Sequence, residues 1–172
     1  MLILVTGGSA SGKSAYAESL CLGVSPRVYL ACMQPFGEEG AARIERHRAM
    51  RKDKGFLTVE RYTDLASLSL PPCACVLLED VGNLAANEMF SKEPPRDPFD
   101  AVIDGIDALM KQCERLVVVT DEIGSDGISY DPATTAYQAA LGAINRALSA
   151  KADAVIETVA GIPILLKGEL PE

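Results

Sequence analysis

The fold of this chain is decided by the stretch Gly7-Gly8-Ser9-Ala10-Ser11-Gly12-Lys13-Ser14. It matches the phosphate-loop pattern G-x-x-x-x-G-K-[ST], directly after an apolar run and directly before a helix-forming stretch. The glycines let successive backbone N–H groups converge on phosphate oxygens at a helix N-terminus, where the helix dipole also favours negative charge. The pattern predicts a nucleoside triphosphate site in which Lys13 reaches the β- and γ-phosphates and Ser14 binds Mg²⁺. The alternative is a glycine-rich turn without a ligand.

Outward from this loop, short apolar runs rich in β-branched residues alternate with helix-forming stretches, which is typical of buried parallel strands and their connecting helices. Strands are predicted at Leu2–Thr6, Val28–Ala31, Cys75–Leu78, Leu116–Thr120 and Ala154–Thr158. Helices are predicted at Lys13–Leu22, Glu38–Arg51, Asp100–Cys113 and Thr134–Ala150. The alternation predicts an α/β fold of the P-loop NTPase kind, with a mostly parallel sheet flanked by helices.

The last apolar run, Ile162–Lys167, follows its predecessor after only Ala160-Gly161. So short a link predicts an antiparallel edge hairpin, because a parallel crossover takes about a dozen residues or more. The proline-rich stretches Pro71-Pro72 and Ser91–Pro98 are predicted to be loops within the same domain.

Composition narrows the class of protein. A chain of 172 residues, 48% of them hydrophobic, suits a single domain over residues 1–172. The net charge of -8 argues against a surface that binds nucleic acid. The sequence shows no signal peptide or membrane span, so a cytoplasmic location is expected. The five cysteines form no CxxC pair and are accompanied by one histidine, which disfavours a disulfide framework or a zinc site.

A phosphate loop needs an acidic partner for magnesium, usually at the end of a neighbouring strand. Glu79 and Asp80 follow the apolar run Cys75–Leu78, and strand polarity carries them to the edge of the sheet where the loop lies. Glu79 is our first candidate for the metal ligand and Asp80 the second. A further acidic pair, Asp121-Glu122, ends the next strand at a similar position, with its role left open. The alternative is that these are ordinary polar residues at strand ends.

Arg43, His47 and Arg51 recur at four-residue intervals, which places them along one stripe of a helix. An imidazole can attack a phosphate and then be displaced, which splits a difficult transfer into two steps, while flanking guanidinium groups neutralise the developing charge. The alternative is a solvated basic helix face whose histidine has no chemical role.

These residues together resemble the adenosylcobinamide kinase / adenosylcobinamide-phosphate guanylyltransferase family of cobalamin biosynthesis. The resemblance spans essentially the whole chain and joins the phosphate loop to Arg-Ile-x-x-His-x-x-x-Arg at Arg43–Arg51. Further matching positions are Leu77-Leu78-Glu79, Asn87, Glu122-Ile123-Gly124, Gly142, Asn145, Ala160-Gly161-Ile162-Pro163 and Lys167.

The resemblance implies a bifunctional enzyme that phosphorylates adenosylcobinamide with GTP or ATP and then transfers GMP from GTP to the new phosphate. It also implies a covalent GMP intermediate on His47 and a homotrimeric assembly. Together with the patterns above, this predicts Lys13 and Glu79 as catalytic residues beside His47, and Arg43 and Arg51 at the nucleotide.

This chain departs from the family pattern at several positions. Thr134–Ala140 lacks the family's arginines and Arg-Asp pair, Asp121 stands where asparagine is usual, and Asp80–Asn83 replaces a Cys-Leu/Ile-Thr segment. Two alternatives therefore accompany the bifunctional enzyme: a small-molecule kinase without guanylyl transfer, and a nucleotide-binding paralogue without turnover.

Overall fold

The structure is a computed structural model that describes residues 1–34, 45, 54–124 and 127–170. The strands are β1 (Leu2–Thr6), β2 (Arg27–Ala31), β3 (Phe56–Glu60), β4 (Cys75–Glu79), β5 (Arg115–Val119), β6 (Ala154–Val159) and β7 (Ile162–Lys167). The α-helices of the described ranges are α1 (Lys13–Cys21), α2 (Val81–Phe90), α3 (Phe99–Met110) and α4 (Pro132–Lys151), and Leu65–Ser67 forms a 3₁₀ turn.

The strands form one sheet in the order β3-β2-β4-β5-β1-β6-β7. Neighbouring strands from β3 to β6 are parallel, and β7 runs antiparallel to β6 at the edge. The turn between them has positive φ at Ala160 (50°) and Gly161 (81°), the conformation that matches the twist of a two-residue hairpin. The predicted α/β fold and its antiparallel edge hairpin are therefore confirmed.

Alternating side chains of the central strands enter two separate cores, because successive residues of a strand point to opposite faces. Ile3 and Val5 of β1 pack with Ala17 of α1 on one face. Leu2 and Leu4 pack on the other face, in the cluster that contains buried residues of α2, α3 and α4. Because both faces are covered, Leu2–Val5 of β1 are apolar at every position.

Besides the short 3₁₀ turn, one strand and one helix of the described residues were not predicted. Strand β3 is an edge strand whose side chains are exposed or only half-buried, so it lacks the apolar run that marks the central strands. Helix α2 begins with Val81-Gly82-Asn83, which has poor helix propensity. The Asp80 carboxylate compensates at its N-terminus by accepting a hydrogen bond from the Asn83 backbone N–H at 2.9 Å.

The remaining predictions differ from the structure in detail. Helix α4 begins at Pro132 rather than Thr134, because the Asp131 carboxylate accepts hydrogen bonds from the two backbone N–H groups at 133 and 134. The two proline-rich stretches are loops, as predicted. The predicted helix at 38–51 lies outside the described residues except for Glu45. Within the described ranges, no helix combines the length and apolar character needed to cross a membrane.

Candidate nucleotide site

The loop Gly7–Ser14 connects the carboxyl end of β1 to the start of α1 and packs closely against the β6–β7 turn. A Cβ atom at Gly7 would lie 2.5 Å from the backbone oxygen of Thr158, which leaves no room for a side chain. Gly12 caps α1 with φ 94°, a conformation that favours glycine. The Gly161 backbone N–H donates to the Ser11 backbone oxygen at 2.8 Å, so the hairpin turn holds the loop in place.

Lys13 lies over this loop and is held there by two oxygen atoms. Its Nζ donates to the Gly8 backbone oxygen at 3.1 Å and forms an ion pair with Asp121 Oδ1 at 2.5 Å. The side chain of Lys13 is only 11% exposed. The ammonium group is thus positioned for phosphate oxygens, with a carboxylate beside it.

Ser14, the second residue of α1, contacts the acidic end of β4. Its hydroxyl donates to Glu79 Oε1 at 2.6 Å. Glu79 is 9% exposed, and its Oε2 atom is buried without a hydrogen-bond partner among the described residues. Burial raises the pKa of Glu79 to about 7, and the Ser14 hydroxyl opposes this rise. A buried carboxylate oxygen with unused capacity beside a serine hydroxyl fits a Mg²⁺ ion, which prefers oxygen ligands.

The raised pKa of Glu79 predicts a pH dependence of stability in magnesium-free buffer. Its native pKa of about 7 exceeds the ordinary value of 4.5, so between these pH values the native state binds more protons than the unfolded state. The free energy of unfolding should therefore fall as pH rises through this window, by about 3 kcal/mol at most. Urea unfolding from pH 4.5 to pH 8 should show this fall in the wild type but not in Glu79→Gln. If the free energy of unfolding changed with pH in the same way in both proteins, this prediction would be contradicted.

Asp80 and Asp121 differ in what they contact, although both follow a strand. Asp80 caps α2 through Asn83. Asp121 faces Lys13, and its backbone oxygen accepts a hydrogen bond from Asn145 Nδ2 at 3.1 Å. Asn145 Oδ1 in turn accepts from the Thr120 hydroxyl at 2.7 Å, which fixes this strand end against α4. The structure thus brings Asp121 to the phosphate loop, a contact that the sequence analysis left open.

The ion pair predicts that Asp121 competes with nucleotide phosphates for Lys13. Replacing it by the neutral Asp121→Asn should tighten binding of a nucleoside triphosphate by about tenfold, equivalent to about 1.4 kcal/mol. Calorimetric titration would measure the affinity, with Asp107→Asn as the matched control. Asp107 pairs with Lys151 at the same distance of 2.5 Å, and its replacement changes the net charge equally. Weaker nucleotide binding in Asp121→Asn would contradict competition and assign the carboxylate a supporting role in the complex.

His47, Arg43 and Arg51 lie outside the described residues, but the strand that precedes them ends beside the site. Before the segment, Ala31 at the end of β2 is the register partner of Glu79. After it, Lys54 forms an ion pair with Glu18, a buried residue one turn beyond Ser14 on α1. The segment that carries the histidine therefore leaves the described fold at the edge of the sheet where the phosphate loop lies, and the chain rejoins it at the opposite edge, where Phe56 of β3 pairs with Arg27 of β2.

Comparisons with known proteins find relatives along nearly the whole chain. Residues 3–166 match the family model described as cobinamide kinase / cobinamide phosphate guanyltransferase. The chain is 35% identical to the bifunctional adenosylcobalamin biosynthesis protein CobU of Escherichia coli K12, over 97% of this chain and all of that protein. The CobU protein of Salmonella typhimurium LT2 is 34% identical with the same coverage, and CobP of Pseudomonas aeruginosa is 29% identical over 96% of this chain and 97% of that protein.

Solved structures match the fold alone. The RadB recombinase superposes with a TM-score of 0.55 at 13% identity, covering 99% of this chain and 83% of that chain. A protein from Pyrococcus horikoshii OT3 superposes with a TM-score of 0.53 at 10% identity, covering 97% of this chain and 86% of that chain.

Proposed function

The chain belongs to the cobinamide kinase / cobinamide phosphate guanyltransferase family, and we propose that it catalyses both reactions in cobalamin biosynthesis. In the first, a nucleoside triphosphate phosphorylates the hydroxyl group of adenosylcobinamide. In the second, GMP from GTP is transferred to the new phosphate and pyrophosphate is released. The observation that carries this proposal is the preformed loop, with Lys13 over it and the Ser14–Glu79 pair at its end.

For phosphorylation, we propose that the backbone of Gly7–Ser14 cradles the triphosphate. The acceptor oxygen bonds to the γ-phosphorus as the bond to the β-phosphate oxygen breaks, and Lys13 neutralises charge on the oxygens between them. Ser14 and Glu79 would hold Mg²⁺, which supplies charge neutralisation when bound. The reaction depends on positioning and electrostatics. The close packing around Gly7 and Gly12, with the hydrogen bond from Gly161 to Ser11, supports a loop rigid enough for this.

For guanylyl transfer, we propose that the His47 imidazole attacks the α-phosphorus of GTP. A phosphorus–nitrogen bond forms while the bond to the β-phosphate oxygen breaks, and pyrophosphate leaves. A phosphate oxygen of adenosylcobinamide phosphate then displaces the imidazole, and Arg43 and Arg51 neutralise charge in both steps. The placement of Ala31 beside Glu79, at the end of the strand that precedes this segment, supports a location of the segment near the nucleotide.

We also propose that the enzyme depends on magnesium, is cytoplasmic, folds as one domain and assembles as a homotrimer. Strands from both ends of the chain lie side by side in one sheet, which supports the single domain. All five cysteines are free, which supports a reducing compartment.

Assaying the two reactions separately tests the proposed function. In the first assay, purified protein is incubated with Mg²⁺, adenosylcobinamide and either ATP or GTP. In the second, it is incubated with Mg²⁺, preformed adenosylcobinamide phosphate and GTP. We expect product in both assays. Phosphorylation without guanylyl transfer would favour the kinase alternative, which the departures at Asp121, Thr135 and Gln138 motivate. Nucleotide binding without either product would favour the non-catalytic alternative.

A further inference from the structure

A cleft of about 380 Å³ lies beside the Lys13–Asp121 pair, and neither proposed step above uses it. One wall is the segment that follows β5, and the other is the first part of α4. The lining residues are Glu122, Ile123, Gly124, Tyr130, Thr134, Tyr137 and Gln138. The Gln138 amide reaches across toward Gly124, where a Cβ atom would lie 3.5 Å from its Nε2.

The inner end of this cleft meets the nucleotide site through Tyr137. The Tyr137 hydroxyl donates to the Gly82 backbone oxygen at 3.1 Å. A Cβ atom at Gly82 would lie 3.1 Å from that hydroxyl, 3.0 Å from Asp80 Oδ1 and 3.7 Å from Asp121 Oδ2. Because the other oxygen of Asp121 contacts Lys13 Nζ at 2.5 Å, Gly82 and Asp121 connect the Tyr137 end of the cleft to the lysine.

The polar groups of the cleft select the class of ligand. Its described lining contains the Glu122 carboxylate and no lysine or arginine, and Asp80 and Asp121 add negative charge at the inner end. Burial and these two aspartates raise the pKa of Tyr137 to about 12, so its hydroxyl stays neutral. Such a site disfavours phosphate groups. It suits an uncharged or cationic molecule that offers hydroxyl and carboxamide groups to Gln138, Thr134 and the tyrosines.

We propose that this cleft binds the alcohol-bearing arm and neighbouring carboxamides of the corrinoid and directs its hydroxyl oxygen to the γ-phosphate held by Lys13. The inference rests on the proposed function and adds the location of the acceptor. The hydroxyl oxygen forms the new bond to the γ-phosphorus, the nucleoside diphosphate leaves with the electron pair of the broken bond, and the hydroxyl proton passes to water.

The test fills the cleft from one side. Gln138→Trp places a large ring between α4 and Gly124, whereas Ala150→Trp adds the same ring to an exposed position of the same helix. We expect Gln138→Trp to weaken adenosylcobinamide binding by about tenfold or more, and Gln138→Ala, which removes only the amide, by about threefold. Calorimetry with adenosylcobinamide and, separately, with a non-hydrolysable GTP analogue measures both affinities. Nucleotide affinity should stay unchanged in all three variants.

Thermal unfolding by circular dichroism identifies the variants that fold. If Gln138→Trp does not fold, the affinity of Gln138→Ala for adenosylcobinamide still tests the proposal. Unchanged corrinoid affinity in the folded Gln138 variants would overturn the cleft as the acceptor site while leaving the proposed function intact. A wild-type protein that binds the GTP analogue but neither binds nor phosphorylates adenosylcobinamide would overturn the proposed function, and the acceptor site with it.

Discussion

Replacing Lys13 by alanine is expected to weaken binding of a nucleoside triphosphate by about 100-fold, equivalent to about 2.7 kcal/mol, and to abolish phosphorylation of adenosylcobinamide. Lys13 supplies the ammonium group above the loop. Because its side chain is only slightly exposed, water in its place would stabilise the phosphate charge poorly. The loss should be larger for transfer than for binding, because charge on the γ-phosphoryl oxygens and the leaving oxygen shifts as the bond breaks.

Calorimetry with magnesium and GTP measures the affinity, and a steady-state assay measures the phosphorylation rate. Lys151→Ala is the matched control, since Lys151 also pairs with an aspartate at 2.5 Å but lies at the far end of α4. Wild-type nucleotide affinity in Lys13→Ala would remove the assignment of Gly7–Ser14 as the phosphate cradle.

Replacing His47 by alanine is expected to abolish guanylyl transfer while leaving part of the phosphorylation activity. His47 is the only histidine of the chain, so no other imidazole can take its place. A loss of about 1,000-fold or more in the second reaction is expected when a covalent route is removed. Phosphorylation relies on Lys13, Ser14 and Glu79 instead, and these remain in place.

Incubating the wild type with magnesium and GTP, without corrinoid, should add the mass of one GMP and release pyrophosphate. The label should be lost in acid and comparatively stable in base, as for a phosphorus–nitrogen bond. His47→Ala and the more conservative His47→Asn should both remain unlabelled. A label that persists in either variant, or that never forms in an otherwise active wild type, would reject the histidine as nucleophile.

The fold was largely predictable because its strands are buried on both faces, which makes each a continuous apolar run. β1, β4 and β5 are of this kind, and their bounds differ from the predicted ones by one residue or less at each end. β3 was not predicted because it is an edge strand in which buried and exposed side chains alternate only weakly. α2 was not predicted because its first turn is stabilised by the Asp80 side chain, which caps the helix, rather than by helix propensity.

The candidate site was predictable where its residues are adjacent in sequence, as in Gly7–Ser14. It was also predictable for Glu79, because parallel strands place their carboxyl ends at the same edge of the sheet. The contact of Lys13 with Asp121 depends on β5 lying next to β1, although the strands β2 to β4 and the helices α1 to α3 lie between them in chain order. The cleft lined by Tyr137 depends likewise on how α4 packs against the segment that follows β5. Local patterns carry no information on such packing.

The most direct test of two chemistries in this one chain is the origin of the phosphorus atoms in the corrinoid product. The protein is incubated with magnesium, adenosylcobinamide and GTP labelled distinguishably at the α- and γ-phosphates, and the corrinoid is isolated. We expect a product that carries both labels in equal amounts, the γ-derived phosphate from phosphorylation and the α-derived phosphate from GMP transfer. A corrinoid that carries the γ-label alone, or neither label, would contradict this expectation.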